Sequence, residues 1–390
     1  MKKFNFSCTP KLYFGEGAFD KVKNIIKDYG DKILVITGGT SFEKSFYHKR
    51  LLSDLEKNNI IYYLEKVKNE PSPLIIDEIS EKYRKENISV VISVGGGSVM
   101  DAGKAVSAML TKNDSVKEYL EGIGKKKHDG DKVPFIAVPT TSGTGSEATK
   151  NAVISEVGDR GFKKSLRHDN FVPDCAVVDP RLTASCPKMV TAASGMDAFS
   201  QLIEAYLSTD ASPMTDALAL SGLEHIKDGL IEAYKNKENL DARGKVAYAS
   251  YLSGVVLANA GLGTVHGFAS PIGGYFDIPH GVVCGTLIGE LIRINIKNLS
   301  SDPNKDGIYL EKYANVGRIF SGKNNLERKA ACEALVDEVN RLIEVMEIPR
   351  LGDYGIKEED LDKIIEKTGN KNNPVELKKE ELREMLLNRL

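Results

Sequence analysis

Residues 90–107 read VVISVGGGSVMDAGKAVS, and this is the most informative stretch of the chain. A run of β-branched residues ends at three glycines, 95–97, and a helical pattern begins at Ser98. A strand that turns on glycines into a helix aims backbone N–H groups and the positive helix end at an anion such as phosphate. The same residues also fit a tight turn with a capping box, in which Ser98 is the N-cap and Asp101 its partner. Both interpretations predict a strand before the glycines and a helix after them.

Short β-rich runs alternate with helical patterns through the first half of the chain. The predicted strands are 32–37, 60–63, 90–94, 133–138 and 176–178. Alternation at this spacing predicts βαβ units and a parallel sheet. Past residue 181 the predicted elements are helices, at 189–208, 213–234, 242–260, 280–299, 326–346 and 358–366. The sequence therefore predicts an α/β N-terminal nucleotide-binding domain with a parallel sheet over 1–180 and an all-α C-terminal domain over 181–390.

The composition is that of an ordinary globular enzyme. The 390 residues carry a formal net charge of −2, so nothing favours nucleic acid or an anionic membrane as a partner. Five scattered cysteines without a CxxC pair indicate a reducing compartment, and we expect a cytoplasmic protein. Residues 246–276 contain no charged side chain, but their polar residues and glycines favour a buried helix over a membrane span.

A second polar loop, PTTSGTGSEAT at 139–149, follows the predicted strand 133–138. Because both glycine-rich loops follow parallel strands, we expect them at one ligand crevice. In the second half, Asp197, His266 and His280 are chemically capable of binding a metal. Spacing alone does not assemble them, since Asp197 could be a first-turn acid that complements a helix dipole and His266 a hydrogen-bonded core residue.

The chain resembles the iron-containing (group III) metal-dependent alcohol dehydrogenases over essentially its whole length. The motifs that carry the resemblance are GGGSVMDAGK at 95–104, PTTSGTGSEAT at 139–149, VVDPRL at 177–182, GMDAFSQLIEAY at 195–206, and HG with PHG at 266–267 and 279–281. The resemblance implies the active site in a cleft between the two domains, a nicotinamide cofactor, and a divalent metal, Fe²⁺ or Zn²⁺. It implies hydride transfer between that cofactor and a small alcohol or aldehyde, in a homodimer or larger homo-oligomer.

The resemblance also assigns the nucleotide site. The implied cofactor-binding residues are Gly38, Gly39, Thr40, Gly96, Gly97, Ser98, Asp101, Thr140, Thr141, Ser142, Thr144 and Lys163. Among them the glycine loop would hold the pyrophosphate, and Lys163 would contact a ribose. The turn at 37–41, TGGTS, carries no acid to bond the ribose hydroxyls or to repel a 2′-phosphate, which predicts NADP(H) over NAD(H).

The family's metal site is one aspartate and three histidines, and this chain departs from it. Asp197, His266 and His280 match, but Gln201 stands where the second histidine is expected, and its amide oxygen is a weaker ligand than imidazole. A further family histidine, near the substrate and considered a proton carrier, is here Ser270. A serine cannot act as a base at neutral pH, but we expect its hydroxyl to pass a proton between the substrate and solvent or a ribose hydroxyl.

A role in substrate contact is expected for Asn151, which follows the second loop. Two alternatives remain open at this stage: a nucleotide-binding protein that has lost catalysis, and a cyclase of the dehydroquinate synthase type. The sequence does not indicate which alcohol or aldehyde is the substrate.

Overall fold

The computed structural model describes residues 3–158, 161–301 and 307–390. They form two compact units. The first, which we call the α/β unit, comprises Ser7–Glu156 and Lys163–Cys186. The second, which we call the helical unit, holds the described residues of Met1–Phe6, Val157–Phe162 and Pro187–Leu390.

The α/β unit is built on a six-stranded sheet in the order β1-β8-β5-β4-β2-β3, with parallel pairing throughout. Its strands are β1 Lys11–Phe14, β2 Lys32–Thr37, β3 Ile61–Lys66, β4 Val90–Gly95, β5 Phe135–Pro139 and β8 Cys175–Val178. A separate two-stranded sheet consists of β6 Asn151–Glu156 and β7 Phe162–Arg167. The helices are α1 Val22–Lys27, α2 Phe46–Lys57, α3 Pro73–Tyr83 and α4 Gly97–Met109.

The hydrophobic pattern explains the strand order. Strands β4 and β5 are fully buried, as is β2 apart from its first residue, and these are the continuous apolar runs expected of a parallel sheet covered on both faces. The edge strands β1 and β3 are largely exposed or half-exposed. Strand β3 pairs with β2 on one side. Strand β4 pairs with β2 on the other side, and β5 then pairs with β4. The crevice beyond the carboxyl ends of β2 and β4 is therefore a topological switch point, the usual ligand site in such sheets.

The helical unit carries the second half of the chain, and past residue 181 the described residues contain helices but no strand. The helices are α5 Lys188–Tyr206, α6 Pro213–Lys235, α7 Leu240–Ala260, α8 Thr264–Tyr275, α9 His280–Ser301, α10 Gly307–Ser321, α11 Arg328–Val345, α12 Leu361–Lys367 and α13 Lys379–Leu387. The predicted fold class, a parallel α/β part followed by an all-α part, is confirmed.

The uncharged stretch 246–276 forms most of α7 and all of α8, not one buried helix. Across the described ranges, no single helix has both the length and the apolar composition to cross a membrane. Helices α7 and α8 pass that test as a pair, but they are bent by 100° relative to each other.

Helix α9 packs directly on α5 because two of its residues have no side chain. A Cβ placed at Gly281 would lie 2.2 Å from the backbone oxygen of Ala193, and one at Gly285 would lie 2.8 Å from the Cβ of Met196. Both distances are far below van der Waals contact, so only glycine allows this approach. The close packing brings the polar residues beside these glycines, His280 and Cys284, up to the middle of α5.

Candidate active site

Three loops meet at the switch point of the α/β unit. A Cβ at Gly38, after β2, would lie 3.3 Å from Cγ2 of Val99 in α4. A Cβ at Gly97, after β4, would lie 2.6 Å from Cγ2 of Thr144 in the loop that follows β5. The two glycine-rich loops therefore touch, as expected for loops that serve one ligand.

The first turn of α4 corrects one sequence interpretation. The helix begins at Gly97 with Gly96 as its N-cap, so Ser98 is not the N-cap and the capping box does not form. Within the described part of the chain, no side chain caps this helix start. Asp101 instead accepts a hydrogen bond from Oγ of Ser146, at 2.6 Å from its Oδ1. An uncapped helix start beside glycines leaves N–H groups available to an anion, which favours the phosphate interpretation.

A buried lysine, which the sequence reasoning missed, fastens α4 to the loop after β5. Nζ of Lys104 donates to the backbone oxygens of Ser146 and Asn151, at 2.8 and 2.9 Å, and to Oγ1 of Thr149 at 2.9 Å. Burial lowers the pKa of Lys104 to about 8, despite the neighbouring acids Asp101 and Glu147. A lysine inside the apolar pattern of α4 was the available signal, since a lysine is rarely buried without partners.

The other predicted cofactor residues lie around the same loops. After β2, Gly39 is half-buried and Thr40 is exposed. In the other two loops Ser142 is buried, and the half-buried residues are Gly96, Ser98, Thr140 and Thr141. Lys163 pairs with Glu70.

Asn151 begins β6, and its Oδ1 is buried with no hydrogen-bond partner among the described residues. That orphaned oxygen fits the predicted role of Asn151 as a ligand contact.

In the helical unit, four potential metal ligands converge. They are Asp197 on α5, His266 on α8, and His280 and Cys284 on α9, and one ligand atom from each lies within 4.8 Å of all the others. Oδ1 of Asp197 is 3.3 Å from Nε2 of His266 and 3.6 Å from Nε2 of His280. Asp197 lies in the middle of α5, so the interpretation as a first-turn acid is wrong.

A glutamate two turns after Asp197 supports this cluster from behind. Oε2 of Glu204 is 2.5 Å from Nδ1 of His266, and Oε1 accepts the backbone N–H of Val265 at 2.8 Å. A Cβ at Gly263, the N-cap of α8, would lie 2.9 Å from the same carboxylate, so glycine makes room for it. A carboxylate on one imidazole nitrogen directs the other nitrogen towards a metal.

The two residues that depart from the family pattern lie on the same helices as two of the potential metal ligands, Asp197 and His266. Gln201 is buried on α5, and its Oε1 is 2.9 Å from Oγ of Ser253. Ser270 is half-buried on α8, one turn after His266. The predicted roles of Gln201 in metal binding and of Ser270 in proton transfer stay predictions.

The charges in the cluster compensate one another. Burial opposes the charged form of Asp197, but His280 and His266 outweigh it and lower the pKa of Asp197 to about 2. Burial also opposes the cation of His266, yet Cys284 and Glu204 outweigh it, so the pKa of His266 is well above its ordinary value. Burial raises the pKa of the Cys284 thiol to about 12. In this arrangement, the positive charge favoured on His266 faces the buried carboxylate of Asp197, and a divalent cation would take over that compensating role.

Sequence reasoning missed Cys284 and the part played by Glu204. Cys284 lies four residues after His280, one helical turn away on the same face, and that spacing was visible in the sequence. Glu204 lies seven residues after Asp197, also on one face, but its partner His266 is far away in the chain.

A nucleotide-type sheet and a buried set of nitrogen, oxygen and sulfur donors in one chain define a nucleotide- and metal-dependent enzyme. The sequence matches the family described as "Iron-containing alcohol dehydrogenase" over residues 9–180 and the "Fe-containing alcohol dehydrogenase family, C-terminal" over residues 191–390. The chain belongs to the iron-containing alcohol dehydrogenase family. It is therefore an oxidoreductase that acts on alcohols or aldehydes with a nicotinamide cofactor and a divalent metal.

Individual relatives agree with this assignment over almost their full length. Alcohol dehydrogenase 4 of Saccharomyces cerevisiae is 32% identical over 388 residues, covering 97% of this chain and 96% of that protein. The NADPH-dependent butanol dehydrogenase of Clostridium saccharobutylicum is 31% identical over 392 residues, covering 97% of this chain and 96% of that protein. The solved structure of an alcohol dehydrogenase from Oenococcus oeni is 33% identical, covers 100% of both chains and superposes with a TM-score of 0.88.

Proposed function

We propose that this protein reduces small aldehydes to alcohols with NADPH, and catalyses the reverse oxidation, using a divalent metal held by Asp197, His266 and His280. The observation that carries the proposal is the convergence of these three side chains from three helices, with their ligand atoms within 4.8 Å of one another. Imidazole nitrogens and a carboxylate oxygen form the kind of donor set found at catalytic zinc and non-haem iron sites. The residues present therefore fit the metal that the family implies.

The chain's own residues prepare the two partners of the reaction. A bound divalent metal supplies Lewis-acid polarisation of the carbonyl or alcohol oxygen, and a nicotinamide supplies or accepts the hydride. Glu204 orients the imidazole of His266, and the uncapped start of α4 receives the cofactor's pyrophosphate. Ser270 relays a proton, since a hydroxyl both donates and accepts. Asn151 contacts the substrate through its orphaned oxygen.

The proposed preference for NADPH rests on the turn after β2. Gly38, Gly39 and Thr40 provide no carboxylate that would repel a 2′-phosphate. One relative carries NADPH in its name, which agrees with the proposal. The test is to compare kcat/KM for NADPH and NADH with a small aldehyde, and a value for NADH that exceeds the one for NADPH contradicts the preference.

A pair of variants tests the turn itself. A Cβ at Gly39 meets no described atom within 4 Å, so a side chain fits there without strain. Gly39→Asp adds a charge that repels the 2′-phosphate, and we expect the NADPH/NADH ratio of kcat/KM to fall at least about tenfold, or about 1.4 kcal/mol. Gly39→Asn, the uncharged isostere, should leave most of the ratio intact. Equal effects of both variants would show that bulk, not charge, is responsible.

Catalysis is tested with a panel of small aldehydes, with and without added Zn²⁺ or Fe²⁺. We expect NADPH consumption that depends on metal and disappears in Asp197→Ala. Binding of NADPH without turnover under every metal condition would instead support a protein that has lost catalysis.

We further propose a cytoplasmic homodimer or larger homo-oligomer without nucleic-acid or membrane partners, and sedimentation of the purified protein measures the oligomeric state.

A further inference from the structure

The metal cluster contains one donor that the family pattern does not include. Cys284 is fully buried on α9, and its Sγ lies 3.6 Å from Nε2 of His266 and 3.7 Å from Nε2 of His280. The sulfur therefore faces the two nitrogens that are expected to bind the metal. Its position one turn after His280 places both side chains on the face of α9 that packs against α5.

Four of the six distances among these atoms are close to those between ligands of one tetrahedral ion. With metal–nitrogen or metal–oxygen distances of about 2.0–2.1 Å and a metal–sulfur distance of about 2.3 Å, neighbouring donors lie about 3.3 Å apart, or about 3.6 Å when one is sulfur. The pair between Asp197 and His266 is at 3.3 Å, and the two pairs that involve Cys284 are at 3.6 and 3.7 Å. The pair between Asp197 and His280, at 3.6 Å, is slightly longer than this expectation.

We propose that Cys284 is the fourth metal ligand of this protein and that its thiolate takes the place of the missing imidazole at position 201. The inference rests on the proposed metal site of Asp197, His266 and His280. When the sulfur–metal bond forms, the thiol gives its proton to solvent and the site holds two negative donors around a doubly charged cation. Nothing is oxidised or reduced in this step.

A sulfur donor changes which ion the site selects. Thiolate is a soft ligand that suits zinc, whereas Mg²⁺ and Mn²⁺ prefer oxygen donors. A set of two imidazoles, one carboxylate and one thiolate therefore favours Zn²⁺, and also Co²⁺ as its spectroscopic substitute. The occupant we infer is a zinc-like divalent ion that these four side chains would hold.

The test is spectroscopy of the full-length protein loaded with Co²⁺ or Zn²⁺. Co²⁺ protein should show a near-ultraviolet sulfur-to-cobalt charge-transfer band, and X-ray absorption of Zn²⁺ protein should show one sulfur at about 2.3 Å. Cys284→Ser should abolish both signals and weaken metal binding at least about tenfold. Even the loss of a residue that only hydrogen-bonds a metal ligand lowers metal affinity by about 10–100-fold. Cys332→Ser, a change at another buried cysteine of the same unit, should preserve both signals.

The outcomes separate this inference from the proposed function. If wild-type protein binds the metal without a sulfur signal, and Cys284→Ser binds it equally well, Cys284 is not a ligand although the site stands. If Gln201→Ala weakens binding while Cys284→Ser does not, the glutamine is the fourth ligand and the inference is overturned. If Asp197→Ala binds as tightly as wild type, the metal site itself is elsewhere and both proposals fail. Circular dichroism and Tm of each metal-free variant verify that it folds.

Discussion

Glu204 touches no predicted substrate or cofactor group, yet we expect its replacement by glutamine to weaken metal binding. Its two carboxylate oxygens have different partners, the Nδ1 of His266 at 2.5 Å and the backbone N–H of Val265 at 2.8 Å. Both partners are donors when Nε2 of His266 faces the metal without a proton. A carboxylate satisfies the two donors together, because each of its oxygens accepts.

Glutamine has nearly the same shape but cannot satisfy both donors. If the amide oxygen accepts from Val265, the NH₂ group faces Nδ1 of His266. The ring proton must then move from Nδ1 to Nε2, and a protonated Nε2 can no longer bind the metal. If the amide is turned, its NH₂ group faces the N–H of Val265. Loss of such a partner costs about 10–100-fold in metal affinity, or about 1.4–2.7 kcal/mol.

The assay is competition for Zn²⁺ between the metal-free protein and a chelator of known affinity. Glu147→Gln is the matched control, because Glu147 is also a buried glutamate but belongs to the α/β unit, and its replacement should leave the Kd for Zn²⁺ unchanged. Far-ultraviolet circular dichroism of Glu204→Gln verifies the fold. A folded Glu204→Gln variant whose Kd for Zn²⁺ stays within about twofold of wild type would show that Glu204 does not support the metal site through His266, since the expected loss is at least about tenfold.

Three further predictions concern stability and metal retention. Burial raises the pKa of Glu147 to about 7 from 4.5, so the native protein holds this proton longer than the unfolded chain and loses stability as pH rises between these values. In urea unfolding, the free energy of unfolding of Glu147→Gln should therefore exceed that of wild type by an amount that grows across this pH window to at most about 3 kcal/mol. A difference that does not depend on pH contradicts the raised pKa of Glu147. Gly103→Ala places a Cβ 1.9 Å from Oγ of Ser93 and should destabilise the protein by about 1–3 kcal/mol in the same assay, whereas Gly39→Ala, in open space, should not. With Cys284 as the fourth ligand, Gln201→His should leave metal retention during chelator dialysis unchanged, whereas increased retention would support the interpretation of Gln201 as a weak ligand, because imidazole is the better ligand.

The sequence predicts the centre of the sheet better than its edges. The central strands β2, β4 and β5 are buried, largely apolar runs rich in Val and Ile, as expected of a parallel sheet covered on both faces. The edge strand β1 and the pair β6 and β7 were missed, because exposed strands mix charged and apolar residues; β7, for instance, reads FKKSLR. Helix α8 was missed because glycines and Pro271 interrupt its pattern, and tertiary packing holds it together instead.

The candidate nucleotide loop is predictable because it is local: a strand, a glycine turn and a helix follow one another within 18 residues. The metal cluster is not local. Its donors come from α5, α8 and α9, and only the resemblance to a family could join Asp197 to two distant histidines. Cys284 escaped even that route, because the family's ligand set of one aspartate and three histidines includes no cysteine.

Two kinds of residue on α9 act together to build the cluster. Gly281 and Gly285 bring the helix against α5, and the residues that immediately precede them, His280 and Cys284, are carried to Asp197 by the same one-turn spacing. Larger residues at the glycine positions would move the helices apart and separate the donors, although neither glycine touches a metal. A packing motif and a ligand motif are therefore interleaved in HGVVCG, and a substitution in either one should weaken the metal site. Unpaired charges would be costly inside this helical core, and the close approach of α9 to α5 keeps His280 near enough to Asp197 to pair with it.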